Sequence, residues 1–547
     1  VRGKLAGLST VAVLTALAVS VPAQAAADEF RTITREGVVL QYQRVAKAVT
    51  PMKGTGPTRS DFDGDGVDDV AITSDLWNTG LPHYPTGLVV VRYSSAPQVD
   101  YYAGVLSTGS GCGCFGAALA AGDFNGDGYD DLAIGDSDEV DPGNKTHAGG
   151  VWVFPGSRTG LLVDSAQHFN QSSPGVPGAA EDYDWFGSAL AAGDINGDGR
   201  DDLAIGAFGE AIGSVEEAGA VTVLYGGVSG LRTTGVQQLH QNQAAVPGSA
   251  ERRDHFGGTL AIGKFNNNKY ADLVIGAPQE NDGNAWTGTG MVTLMWGSAN
   301  GVKLSGATSV TGAAVQKATG RADTIAWYLG DALAIGDVNG DGFSEVIAGA
   351  SGAQTPHING GLIAVFTGRS GGLSGSAVKI ITQRTAGMPG SPESDDRFGA
   401  ALAVGDVTGD GRADVLVGAP GEAIGTKTGA GTVVLLKGSA SGLTGSGAQG
   451  FDQDHSVVPG GAERDDRFGG AVAILNLDGK GPLDALVASA GEEVAGDQAG
   501  YPSGTVSRFH GSASGLVPQA GSWSGVSLST DRLRPMSFGM RIVGPHS

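Results

Sequence analysis

Cysteine is almost missing: the 547 residues contain two, Cys112 and Cys114. That rules out a disulfide framework, and two thiols with no histidine close by make a poor zinc site. A single local bridge across one intervening glycine is left open. Aromatic residues make up 6% of the chain against 94 glycines, which disfavours long helices and suits closely packed strands with tight turns. Positive charge is also short, with 34 lysines and arginines against 57 acids and a formal charge of −23. A surface of that sign repels phosphate, which argues against nucleic acid as a partner. After the amino terminus no apolar run is long enough to span a bilayer.

The one long apolar run, residues 5–21, follows Arg2 and Lys4 and precedes Ala23-Gln-Ala25 and Ala25-Ala-Ala27. Residues 1–27 therefore read as a Sec-type signal peptide, with Val1 as an alternative start codon of bacterial kind. The mature chain is expected to be secreted, soluble and monomeric. Residues 28–54 read as an N-terminal extension without a repeat, with one candidate strand at 37–42. Residues 55–547 are different, because the acids there recur in step.

Asp123-Phe-Asn125-Gly-Asp127-Gly-Tyr129-Asp-Asp131 has close versions starting at Asp61, Asp194, Asp337 and Asp406, and worn ones at Lys264 and Asn476. Oxygen-bearing side chains fall at positions 1, 3, 5 and 9, with glycine at 6 and often at 4. A hard cation such as calcium takes six to eight oxygens, and a tight loop offers them at alternate residues. A helical calcium hand shares the first half of this pattern but needs a glutamate at position 12. Ile72, Ile134, Ile205, Ala348 and Val417 stand there instead, inside apolar runs. These loops therefore join strands.

Two further signatures rotate with the loop. Phe-Gly followed by a small-apolar run occurs at Phe115, Phe186, Phe256, Phe398, Phe468 and Phe538, with Tyr328-Leu-Gly standing in once. The cation loop follows, and then an apolar run ending in a turn, as in Val151-Trp-Val-Phe-Pro-Gly-Ser. A weaker fourth run follows, as at 167–171. Four short strands in each of seven periods of about 70 residues predict an all-β, seven-bladed propeller of four-stranded blades. The first loop has no Phe-Gly strand before it, and Phe538-Gly has no loop after it. The C-terminal strand is therefore expected to close the ring beside residues 70–73, leaving no open edge.

Phe-Gly, the aspartate loop and Ile275-Gly-Ala-Pro278 or Val417-Gly-Ala-Pro420 resemble the FG-GAP repeats of integrin α-chain heads and their secreted bacterial relatives. The resemblance covers about residues 58–544 and implies a seven-bladed propeller with calcium in strand-to-strand loops on its lower face. Carried over by position, the ligands are Asp61, Asp63, Asp65, Asp69 and the Val67 carbonyl in the first loop. The second offers Asp123, Asn125, Asp127, Asp131 and the Tyr129 carbonyl, the third Asp194, Asn196, Asp198, Asp202 and the Arg200 carbonyl. The fifth offers Asp337, Asn339, Asp341, Glu345 and the Phe343 carbonyl, and the sixth Asp406, Thr408, Asp410, Asp414 and the Arg412 carbonyl. About five calcium ions are expected. In the fourth loop Lys264, and in the seventh Lys480, place an ammonium where an ion would sit, so both are expected to be empty.

Glu-x-x-Asp-x-Phe-Gly, at Glu181/Asp184, Glu251/Asp254, Glu393/Asp396 and Glu463/Asp466, could supply a general acid–base pair. A catalytic pair is needed once, so four copies read as fastenings for the blade connections. Gly368-Arg-Ser370-Gly-Gly372 matches a hydrolase elbow but occupies the slot of a repeated hairpin turn. Features that do not repeat are better candidates for a ligand face: Trp77, Tyr84, Trp286 and His357, in connections between second and third strands. The resemblance puts those connections opposite the calcium loops. The expected function is adhesion to an extracellular protein or a polysaccharide, without catalysis. An exported hydrolase is the alternative, because repeats of this family also accompany phospholipase and esterase domains. A structural envelope component is the third.

Overall fold

Short runs of small and branched apolar residues, each stopped by glycine or an aspartate loop, form strands and not helices. The computed structural model describes residues 31–46, 58–76, 85–94, 98–105, 114–144, 146–281, 288–318, 327–353, 360–495, 497, 502–528 and 535–543. Six sheets contain four antiparallel strands each, in chain order. The second blade runs Phe115–Gly122, Asp131–Asp136, Gly150–Phe154 and Gln167–Phe169. The same order holds through to the seventh, with Val472–Leu475, Asp484–Ser489, Thr505–Ser512 and Gly515–Ser524. Among the described residues α-helix is confined to Gly312–Ala318 and Gly525–Leu528, with single 3-10 turns at Val163–Ser165 and Gly375–Ala377, and no helix there is long and apolar enough to cross a membrane.

The first blade is built from both ends of the chain. Its strands Val70–Leu76, Pro85–Arg92 and Gln98–Val105 receive their inner neighbour from the C-terminal segment. Asp75 pairs with Met536, and Ile72 bridges to Ile542. Thr73 N–H donates to the Arg541 carbonyl at 3.0 Å, and Val543 N–H to the Ala71 carbonyl at 2.9 Å. The predicted latch is present.

The 28–54 region holds more than the one strand expected at 37–42. Arg31–Arg35 and Val38–Ala46 form a hairpin, and Val38–Ala46 pairs with Gln98–Val105, so the first sheet continues outward to six strands. Arg44 holds the buried Asp100 through two bonds of 2.6 Å, and the Tyr42 and Tyr93 hydroxyls donate to the same carboxylate. Arg31 pairs with Asp164, which ties the hairpin to the second blade as well.

Seven apolar clusters fill the described core, one between each pair of neighbouring blades, including the seventh and first. Phe-Gly and Gly-Ala meet at these seams. A Cβ on Gly418 would lie 2.0 Å from the Gly469 carbonyl oxygen of the next blade, so only glycine permits that approach. In the fifth blade Leu329, fully buried, fills the phenylalanine pocket. The preceding Tyr328 is 39% exposed, so Leu329-Gly330, and not Tyr328, is the counterpart of Phe-Gly.

The inner strands surround a channel lined mostly by Ala, Leu and Gly. At its upper end lies a cavity of about 1050 Å³ that includes Asp331, Arg397, Arg467 and Arg541. At its lower end one of about 540 Å³ includes Arg59, Lys264 and Asp406.

Candidate functional site

Six of the seven cation loops leave an inner strand, and all seven enter the second strand of their blade, so they share the lower face. Glycines at positions 4 and 6 take left-handed angles, +75° at Gly126 and +88° at Gly128, which turns successive N–H groups inward. The position-1 carboxylate collects them. Asp123 accepts from the N–H groups of Gly126, Asp127 and Gly128 at 2.7, 3.1 and 2.9 Å, and Asp61, Asp337 and Asp406 repeat the pattern. Asp194 does so through Asp198 and Gly199. Position 5 accepts from the N–H of position 7, as Asp65 does from Val67, Asp127 from Tyr129, Asp198 from Arg200, Asp341 from Phe343 and Asp410 from Arg412. The residues whose carbonyls the resemblance assigns therefore close their turns.

The position-9 acids Asp69, Asp131, Asp202, Glu345 and Asp414 are buried. Each accepts an N–H from the end of its third strand: Ser94, Gly156, Gly226, Gly368 and Gly438. Asp272 and Asp484 do the same in the two worn loops, with Gly297 and Gly511, so this acid fastens the blade whether or not the loop has the other ligands. The loops also form a ring of their own. The position-8 N–H of each donates to the position-1 carbonyl of the preceding loop, from Asp130 to Asp61 (3.1 Å) round to Asp68 to Asn476 (2.9 Å). Asp68, Asp130 and Asp201 add carboxylate bonds to the same neighbours. The sequence reading did not use these position-8 acids, although the Asp-Asp pairs at 68–69, 130–131 and 201–202 mark them.

The chemistry of the five intact loops fits a divalent cation. Asp61, Asp63 and Asp65 bring carboxylate oxygens within 4.8 Å of one another. Asn125 Oδ1, at position 3 of the second loop, is buried without a hydrogen-bond partner among the described residues. Burial, reinforced by Asp123 and Asp127, pushes Asp131 up to about 8, and burial pushes Asp202 and Glu345 up to about 7 and Asp414 to about 6. Such groups resist ionisation unless a cation joins them. Arg200 pairs with Asp198 of its own loop at 3.8 Å and its Nε donates to the Asn125 carbonyl of the preceding loop at 3.3 Å, while Arg412 pairs with Asp410 of its own loop. In the worn loops Lys264 and Lys480 are exposed. What those loops lack is oxygens.

The opposite, upper face carries the connections between second and third strands and between blades. Asp184, Asp254, Asp396 and Asp466 each accept the N–H of the glutamate three residues earlier, so the repeated Glu-x-x-Asp pair caps a connection, as expected. A further acid stands behind each, Glu210, Glu280, Glu422 and Glu492, taking an amide N–H from Gln171, Gln241, Gln383 and Gln453. Burial and the neighbouring Asp396 push Glu422 up to about 8 from its ordinary 4.5. The folded chain thus holds a proton that the unfolded chain gives up, so this group favours the fold most below pH 4.5 and its contribution is lost as pH rises through 8. Glu422→Gln is expected to lose less melting temperature between pH 5 and 8 than the unaltered chain, in saturating calcium. An equal slope for both would remove Glu422 as the cause.

Cys114 is disulfide-bonded, and Cys112 lies outside the described residues. Trp77, Tyr84, Trp286 and His357 also lie outside them. The strands flanking them are the second and third of their blades. Gly368–Gly372 is a hairpin turn between the strands Leu362–Phe366 and Val378–Ile381. The aromatic surface that is described lies at residues the sequence reading passed over. Tyr183, Trp185, Phe208 and His255 form a chain of ring contacts at 6.1, 4.5 and 4.9 Å, with Tyr183 59% exposed.

The FG-GAP repeat model matches residues 115–154, 186–224, 256–295, 329–366 and 398–436, each from the Phe-Gly position through the cation loop to the third strand. The chain is an FG-GAP β-propeller. It is similar to integrin alpha pat-2 of Caenorhabditis briggsae, 32% identical over 236 residues, which is 41% of this chain and 18% of that protein. It is also similar to phosphatidylinositol-glycan-specific phospholipase D of Bos taurus, 30% identical over 189 residues, 34% of this chain and 21% of the enzyme. The FG-GAP propeller thus spans about a fifth of the length of these relatives. Among solved structures, a rhamnogalacturonan lyase of Bacillus licheniformis aligns over 95% of both chains at 11% identity, with a TM-score of 0.31, too low to bear on fold or function.

Proposed function

We propose that this FG-GAP propeller is a secreted binding module whose lower face holds about five calcium ions and whose upper face takes an extracellular protein or polysaccharide. The ions would be held by the position 1, 3, 5 and 9 side chains and position-7 carbonyls of loops one, two, three, five and six. Calcium supplies charge compensation there, and it suits irregular carboxylate loops better than magnesium does. The loops carry no part of the ligand; they hold blades that present the other face.

The observation that carries the binding role is the aromatic chain on the upper face. Trp185 and His255 sit at backbone angles of +54° and +57°, in the left-handed region that bulky residues avoid. Tyr328 and Ser537, at the same repeat position, also take positive angles, so the turn belongs to the repeat and the blades differ in the side chain it presents. Arg397 and Arg467 repeat the geometry, at +60° and +58°, beside the upper cavity. Rings of this sort stack on a sugar or on an apolar side chain.

The phospholipase relatives favour a second reading, an exported hydrolase. A glycan and protein array with the full chain, run beside a phosphodiester and ester hydrolysis assay, separates the two. Binding to an array member that Trp185→Ala weakens about tenfold supports the module. Binding indifferent to Trp185, or turnover of a substrate, contradicts it.

A further inference from the structure

The seventh loop lacks the oxygens of the five intact ones: asparagine stands at position 1 and lysine at position 5. It gathers a different donor set instead. Asp478 from position 3, Asp484 from position 9 and His510 from the third strand each present a ligand atom, all within 4.8 Å of one another. His510 Nδ1 lies 2.8 Å from Asp484 Oδ1 and 3.7 Å from Asp478 Oδ2.

We infer that Asp478, Asp484 and His510 form a site for one borderline divalent transition metal of the zinc class, separate from the calcium loops. Calcium needs six to eight oxygens, which this loop cannot supply, whereas zinc is satisfied by four ligands drawn from imidazole and carboxylate. Ligands at zinc distances in a tetrahedron stand about 3.4 Å apart. The two spacings from His510 bracket that value, so small side-chain adjustments would suffice. Two carboxylates balance the ion's double charge, and the fourth position is left to water.

Two observations beyond the cluster bear on it. The residue before the third-strand turn is Tyr93, Tyr225 and Lys437 in the first, third and sixth blades, and there it reaches across to the next blade. The Tyr93 hydroxyl accepts from Leu161 N–H, the Tyr225 hydroxyl accepts from Val302 N–H, and Lys437 Nζ donates to the Ser514 carbonyl. His510 occupies the same register position but turns onto its own loop. Access is also provided: the His510 and Asp478 side chains are 41% and 31% exposed, while Asp484 is 5% exposed and fixed by Gly511 N–H at 3.0 Å. The inner ligand is held and the outer two are reachable.

The test uses the full chain, stripped by chelation and returned to millimolar calcium, then titrated with zinc by calorimetry and counted by elemental analysis. One zinc per chain is expected, not displaced by the calcium. Cobalt in its place should give the visible absorption of a four-coordinate ion. His510→Ala and Asp478→Asn should each weaken zinc more than about 100-fold, beyond the usual cost of losing an outer-shell partner. The calcium count should stay unchanged in both. Should His510→Ala fail to fold, Asp478→Asn, at a half-exposed position, carries the test alone. No bound zinc, or zinc bound equally by a folded variant and the unaltered chain, overturns the site and leaves a simple histidine–aspartate pair.

Discussion

Chelating the divalent cations is expected to lower the melting temperature of the FG-GAP propeller by about 20 °C. A ligand that binds only the folded state stabilises it by about 4 kcal/mol at a thousandfold excess over Kd, so five sites together contribute about 20 kcal/mol. A chain of this size unfolds with an entropy of about 1 kcal/mol per kelvin, at about 2.1 cal/mol/K per residue, which converts that figure to degrees. The direction follows from the acids. Asp131, Asp202, Glu345 and Asp414 are buried and pushed upward, so without a cation each loop either holds a proton or accumulates repulsion. Calcium should restore the melting temperature further than equal magnesium, because the loops fit a large, irregular shell. Scanning calorimetry in chelator, in magnesium and in calcium checks this, and three coincident transitions would count against it.

Removing residues 535–547 is expected to cost about 5–9 kcal/mol, or a similar number of degrees. Phe538, Ile542 and Val543 are all buried, at about 1.5–3 kcal/mol each. Phe538 sits in the seam between the seventh and first blades beside Ala488 and Val506. Deletion also strips the strand Val70–Leu76 of its inner neighbour and exposes an edge that invites association with other chains. The substitution Phe538→Ala should show about 3–5 kcal/mol of this by itself. A truncated chain that melts with the full-length one, and stays monomeric at high concentration, would contradict the latch.

The ring, its seven loops and its closure were legible because each blade repeats the same physical solution. Phe-Gly fills a seam, glycines 4 and 6 turn a loop, and an acid at position 9 grips the third strand. What could not be read lies outside the repeat or depends on distance. The hairpin 31–46 has no counterpart in other blades, and the Arg44–Asp100 pair that secures it joins residues far apart in sequence. Tyr328 looked like the missing phenylalanine because it is aromatic, yet the pocket selects for apolar volume, and Leu329 takes it. His510 lies 26 residues beyond Asp484, and only the pairing of second and third strands brings the two together. Trp185 and His255 were hidden by the reverse effect. They fill repeated slots, where variation between blades carries the information and the motif itself does not.

Counting and locating calcium tests the account most directly. The full chain, dialysed into millimolar calcium and crystallised, should show anomalous scattering peaks in the five loops that begin at Asp61, Asp123, Asp194, Asp337 and Asp406, with no calcium in those beginning at Lys264 and Asn476. Elemental analysis of the same material should give about five calcium ions per chain. No calcium at all would contradict the loops' assigned role, and seven would contradict the reasoning that separates intact loops from worn ones.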